Sequence, residues 1–189
     1  PLLLDRIAPS AYVPIDISGD FLRESCEDFA KRFPSLPVYP VEADFTRPVP
    51  IPAELAEHER LGFFPGSTIG NLEPAAAVDL LREMRRTLGN GSLLLIGMDR
   101  IKDRDVLVSA YDDSAGVTAA FNLNLAHRIN RELDGTIPVD ALRHKAVWNS
   151  DRARIEMHLE ASRDIRFDVC GRDFTLRRGE AIHTENSHK

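Results

Sequence analysis

Cysteine is scarce in this chain: Cys26 and Cys170 are the only two in 189 residues, far apart and without CxxC spacing. That count excludes a disulfide framework and makes a reducing cytoplasm the expected compartment. Long apolar runs are missing as well. The longest, "LLLIG" at 93–97, falls far short of the ~20 residues a membrane-spanning helix needs, so no membrane partner is expected. Positive charge is not in surplus either. The formal net charge is −6, and basic residues are scattered except for short pairs such as Arg85-Arg86 and Arg177-Arg178, which read as solvated surface charge. A nucleic-acid partner is therefore not expected, because phosphate binding needs a concentrated basic face.

Several chemical signatures are absent too. No G-x-S-x-G elbow, P-loop or G-x-G-x-x-G stretch occurs. His183 and His188 stand at a spacing that matches no common ligand pattern, and there is no HExxH, so no metal is expected. His58, His127, His144 and His158 read as surface or satisfied core residues. The chain opens on Pro1 in mid-element, "PLLLDRIAPS", and closes on polar "HTENSHK", which reads as an excised piece of a longer protein.

With 43% hydrophobic and 29% charged residues, the chain is ordinary globular material. Residues 11–18, "AYVPIDIS", read as a strand ending in Asp16. The next segment, 19–33, carries Phe21, Leu22, Cys26, Phe29, Ala30 and Phe33 at helical spacing, closed by Pro34. A second strand is expected over 36–45, "LPVYPVEADF", ending in Asp44-Phe45, with Pro37 and Pro40 keeping it short or near an edge. "RLGFFPG" is a third strand, and a helix from Glu73-Pro74 to Leu88 follows, stopped by Gly89. "GSLLLIGMD" at 91–99 is a fourth, apolar throughout as a central parallel strand is. Alternating β and α units predict a parallel sheet. After residue 100 the pattern becomes two helices and then three or four strand-like runs, up to "DFTLRRG", an α+β order that places a boundary near 100.

Ligands of open α/β sheets bind outside the carboxyl ends of the strands. Three such ends here carry Asp16, Asp44-Phe45 and the loop "FFPGSTIGNLEP" at 63–74, and are expected to converge on one crevice. A strand-end carboxylate can accept from ribose hydroxyls, and an acid with an aromatic can receive an adenine. Both acids can equally be caps or turn formers. The loop can equally be a tight strand-to-helix turn, with Gly66 and Gly70 supplying unusual backbone angles and Asn71 near the helix cap. Asn71 in a crevice would suit an amine or carboxylate.

Four separated stretches, "FFPGSTIGNLEP", "YDDSAGVTAAFNLNLAHRINRELDG" at 111–135, "RIEMHLEA" and "TENSHK", together resemble the S-adenosylmethionine-dependent L-histidine Nα-methyltransferases that begin ergothioneine biosynthesis. The resemblance implies a partial Rossmann-like class I methyltransferase domain over 1–100, an α+β substrate-binding domain over 101–182, and a return toward the first domain over 183–189. It also implies S-adenosylmethionine as cofactor and L-histidine as substrate of a cytoplasmic monomer. By motif, Asp16 matches the ribose acid, and Asp44 with Phe45 the adenine contacts. Gly66, Asn71, Tyr111 and Thr118 match residues around the substrate amine and carboxylate, with Asn71 and Tyr111 in the catalytic role. Met157, Glu185 and Ser187 match the imidazole pocket. The family's glycine-rich cofactor loop would precede Pro1, and its final strands would follow Lys189. Two other readings remain open: a non-catalytic amino-acid-binding module, and a methyltransferase of the same family acting on another amino acid or amine.

Overall fold

A computed structural model of the chain describes residues 2–189, and backbone contacts divide it into two units: everything up to Pro65 with Pro74–Ile96, and Gly66–Glu73 with Gly97–Lys189. The first unit alternates as the sequence suggests: α1 (Leu2–Ile7), β1 (Ile15–Asp16), α2 (Gly19–Arg32), β2 (Val41–Glu42), β3 (Leu61–Phe64), α3 (Pro74–Leu88) and β4 (Leu93–Ile96). β1 pairs with β2 and β3 with β4, both in parallel. The single parallel sheet expected of these four strands is instead two separate two-stranded ribbons.

Proline explains why β1 and β2 are so short. Tyr12 still bridges Val38 in parallel, and Val41 N–H still donates to Pro14 O at 2.9 Å. Between those bonds Pro14 lacks the N–H that would complete the ladder. α2 buries less than its periodicity suggests. Leu22 is buried and Phe29 packs on Tyr12 and Phe33, whereas Phe21 is 64% exposed.

α3 is tied to its neighbours at its end. The Arg60 guanidinium donates to the carbonyls of Thr87 and Leu88 at 2.8 and 3.4 Å, a cation on the negative end of the helix dipole. Gly62 lets β3 come close: a Cβ there would lie 2.7 Å from Leu88 Cδ1.

The second unit carries α4 (Arg104–Tyr111), α5 (Val117–Glu132), β5 (Leu142–Asn149), β6 (Arg154–Ala161), β7 (Ile165–Val169), β8 (Arg172–Leu176) and β9 (Ala181–His188). Strands β5, β6 and β9 form an antiparallel sheet in that order, and β7 and β8 a separate hairpin. From Ile155 onward β6 alternates, with Ile155, Met157, Leu159 and Ala161 all buried, the pattern of a strand with one face in a core. Ala126 of α5 joins Leu142, Leu159, Ala161, Ile165 and Phe167 there. β9 is the element that the sequence does not announce. Thr184, Glu185, Asn186 and Ser187 have no apolar alternation, and pairing with β6 alone makes them a strand. Residues 183–188 belong to the outer strand of this sheet.

Candidate functional site

In the second unit, β6 and β9 bring three of the expected residues onto one sheet face. Met157 is the register partner of Glu185, and Ile155 that of Ser187, and partners in an antiparallel pair project to the same side. Met157 and Ser187 are buried, and Glu185 is half-buried. Burial pushes the Glu185 carboxyl above its ordinary range.

Tyr111, the last residue of α4, closes over that face. Its hydroxyl lies 2.7 Å from Ser187 Oγ. Lys189 Nζ donates to both oxygens, at 2.7 Å to Tyr111 and 2.9 Å to Ser187, and stands 4.6 Å from the Tyr111 ring centroid. Its third partner is Asp99 Oδ2 at 3.2 Å, and the lysine side chain is 0% exposed. Asp99 is held well below the usual carboxylate range, first by Lys102, then by the N–H of Arg100 and by Lys189. An ammonium only donates. Both hydroxyl oxygens must therefore accept from Lys189, and only one hydroxyl proton can lie between them. The other proton is available to a further acceptor.

Tyr111 is also fixed through its backbone. His144 Nε2 donates to Tyr111 O at 2.7 Å, and Asn122 Nδ2 bonds His144 Nδ1 at 3.0 Å. A carbonyl can only accept, so the proton is on Nε2 and Nδ1 accepts from Asn122. This is the satisfied core histidine that the sequence suggests. Lys189 and Asp99 are the functional candidates that sequence reasoning missed. Lys189 sits inside the quoted "TENSHK", but nothing in that string says its side chain turns inward.

The Gly66–Asn71 loop belongs to the same unit. It turns through two left-handed residues, Gly66 (φ 77) and Ser67 (φ 59), into a 3-10 turn over Thr68–Asn71. Ser67 Oγ accepts from Asp99 N at 2.9 Å. Gly70 lies against β9 so closely that a Cβ would be 2.7 Å from His188 O. Glu73 Oε1 then accepts from Arg154 Nη1 at 2.7 Å and from Asn186 Nδ2 at 3.2 Å. Asn71 is thereby anchored beside β9 with an exposed side chain. Thr118 does a different job: its N–H donates to Asp113 Oδ1 at 2.8 Å and the N–H of Val117 to Oδ2 at 3.0 Å. Those bonds, led by Thr118, hold Asp113 down to about 2. Thr118 lies in the first turn of α5.

The first unit holds Asp16, Asp44 and Phe45. Asp16 Oδ1 accepts from Ser18 N at 2.8 Å, and Asp44 Oδ1 from Thr46 N at 2.9 Å and Thr46 Oγ1 at 2.6 Å. Each acid forms a local turn with one oxygen, as the plainer reading of a strand-end aspartate holds. Asp16 keeps Oδ2 for another donor; Asp44 Oδ2 faces Arg47 at 3.6 Å. Phe45 packs edge-on against Phe64, ring centroids 5.6 Å apart, which brings the carboxyl ends of β2 and β3 together. Elsewhere in the second unit, Glu156, His158 and His183 cluster across strands, a grouping that linear histidine spacing could not reveal.

Comparison with known proteins bears on the chain as a whole. Residues 1–189 match the family model described as histidine-specific methyltransferase, SAM-dependent. The chain is 39% identical over 180 residues to the histidine N-alpha-methyltransferase of Mycolicibacterium smegmatis, covering 94% of this chain and 56% of that protein. It is likewise 39% identical over 181 residues to the histidine N-alpha-methyltransferase of Mycobacterium tuberculosis, with the same coverage. The chain spans about half the length of these curated relatives.

Proposed function

The chain belongs to the SAM-dependent histidine-specific methyltransferase family, and on that premise we propose that it is the part of an L-histidine Nα-methyltransferase that recognises the amino acid and the nucleoside of the cofactor. S-adenosylmethionine, when bound, supplies an electrophilic methyl on sulfur. The chain's own groups bind, orient and hold protons.

The observation that carries this reading is the Tyr111–Ser187–Lys189 arrangement beside Glu185. A neutral imidazole has one nitrogen that accepts and one N–H that donates. The hydroxyl pair, oriented by Lys189, has one outward proton for the first, and the Glu185 carboxylate is an acceptor for the second. Met157 offers a polarizable apolar wall for the ring. Asn71 and Tyr111 are the groups we assign to aligning the α-amine. Neutral partners suit that task, because the nucleophile is a lone pair that must stay unprotonated and in line with its target. Gly66 and Thr118 complete the assignment around the amine and carboxylate, Thr118 through the α5 entry that it stabilises.

For the cofactor, the residues present fit a nucleoside. Asp16 Oδ2 at the end of β1 can accept from ribose hydroxyls, and Asp44 with the Phe45–Phe64 edge can receive a purine. A Rossmann-like parentage of the two parallel ribbons accords with these strand-end acids. We further assign residues 1–100 to the methyltransferase domain and 101–182 to the substrate domain, with a monomeric, cytoplasmic protein as the working state.

Mass spectrometry of histidine incubated with S-adenosylmethionine and the protein tests the activity, since successive methyl additions at the α-amine are expected. Calorimetry of each ligand alone tests the two assignments separately. Histidine binding without cofactor binding would favour a binding module instead.

A further inference from the structure

On the other face of the β5–β6–β9 sheet from Met157 and Glu185, three side chains converge for which the proposed methyl transfer has no use. Glu156 and His158 flank Met157 on β6, so their side chains project to the opposite side. His183 on β9 is the register partner of His158, brought there by the irregularity that shifts the pairing between Met157 and His158. The two imidazoles stack with centroids 4.7 Å apart. One ligand atom from each of the three residues lies within 4.8 Å of the others.

The surroundings are arranged as ligand-orienting partners are. Glu156 Oε1 accepts from Asn149 Nδ2 at 2.9 Å and from Arg154 Nε at 2.8 Å. That fixes the carboxylate and leaves Oε2 toward the rings, 3.4 Å from His158 Nε2. Two ligands that sit ~2.1 Å from one tetrahedral ion are themselves ~3.4 Å apart. His183 Nε2 bonds the carbonyl of Glu185 at 3.2 Å. Because a carbonyl only accepts, that nitrogen carries the proton and Nδ1 keeps its lone pair, the tautomer control typical of metal-binding histidines. Burial, and then the neighbouring His183, push the His158 pKa down. The nearby cations are occupied: Lys145 with Glu160 at 2.6 Å, and Arg154 with Glu73 and Glu156.

We propose that Glu156, His158 and His183 form a binding site for a divalent first-row transition ion of the zinc type, with the fourth position open to water. Two imidazoles and a carboxylate are the donor set for such an ion and not for calcium or magnesium. His183 is the exposed member of the three. A bound ion bridges β6 and β9 where their register shifts, and so stiffens the segment that carries Glu185 to the opposite face.

The test is a Co²⁺ titration of the purified chain near neutral pH, followed by visible absorption, with Zn²⁺ as competitor. One equivalent with a tetrahedral spectrum, displaced by Zn²⁺, is expected. His158→Ala, His183→Ala and Glu156→Gln should each weaken Co²⁺ binding by at least ~10-fold, while His127→Ala, at an exposed position of α5, leaves it unchanged. Circular dichroism confirms that each variant is folded. Should an alanine variant unfold, imidazole ¹⁵N shifts of the unaltered chain under Zn²⁺ decide instead, with His158 and His183 expected to respond. Absence of the spectrum at one equivalent, equal affinity of the His183→Ala variant, or shifts confined to other histidines would each overturn the site.

Discussion

Lys189 Nζ lies 2.7 Å from the hydroxyl of Tyr111, 78 positions earlier, with no part of the lysine side chain exposed. A buried ammonium is tolerated only when its protons find acceptors. Here Tyr111, Ser187 and Asp99 provide three. Tyr111→Phe removes one of them and should destabilise the chain by ~1–3 kcal/mol. Adding Lys189→Met to that variant should recover part of the loss, because the orphaned charge leaves with it. Urea unfolding of the two single variants and the double variant measures the coupling; strict additivity would contradict the shared network.

Glu185 is the acceptor that we assign to the imidazole N–H. Glu185→Ala should reduce the preference for histidine over phenylalanine by at least ~10-fold, since an apolar wall no longer rejects a ring lacking nitrogen. Competitive binding of the two amino acids reads this directly. An unchanged preference would remove Glu185 from the recognition role.

The two loop glycines are expected to fail differently. Gly66→Ala meets no atom within 4 Å but keeps a left-handed backbone, φ 77, at a cost of ~1–2 kcal/mol. Gly70→Ala places its Cβ 2.7 Å from a backbone oxygen of His188, so the loop or β9 must move, at ~1–3 kcal/mol. Histidine affinity should fall for Gly70→Ala by more than its stability loss explains, because Ser187 and Lys189 flank the displaced residue. Paired calorimetry and unfolding curves separate the two effects.

Asp113 gives a pH prediction. Its pKa is lowered from 3.8 to about 2, above all by the backbone N–H of Thr118. A depressed carboxylate stabilises the fold above its unfolded value and loses that contribution as the proton binds. The α5 entry should therefore be intact above pH ~4 and loosen as pH falls toward ~2. Amide exchange at Val117 and Thr118, followed through an acid titration, should accelerate in that window. In Asp113→Asn, which keeps an acceptor but not the charge, the step should vanish.

Much of this was legible locally. Pro74 and Gly89 bracket α3 because one fits a first turn and the other supplies φ 87. The alternation of "RIEMHLEA" announces β6 because period-two burial leaves a plain trace. The continuous parallel sheet was not borne out, since apolar runs show that a strand is buried but not which strand it pairs with. β9 stayed hidden for the opposite reason. Its polar residues carry no periodic signal, and β6 supplies the pairing from outside the segment.

What the amino-acid order settled by itself was the succession of elements from β1 to β8, the strand-end acids and the four motifs, all properties of neighbouring residues. The fold decided which way Lys189 points, which oxygen of each aspartate is already engaged, and that His158 meets His183. Those facts depend on register and burial among segments tens of positions apart, where the energy of a donor is set by the acceptors that folding brings to it.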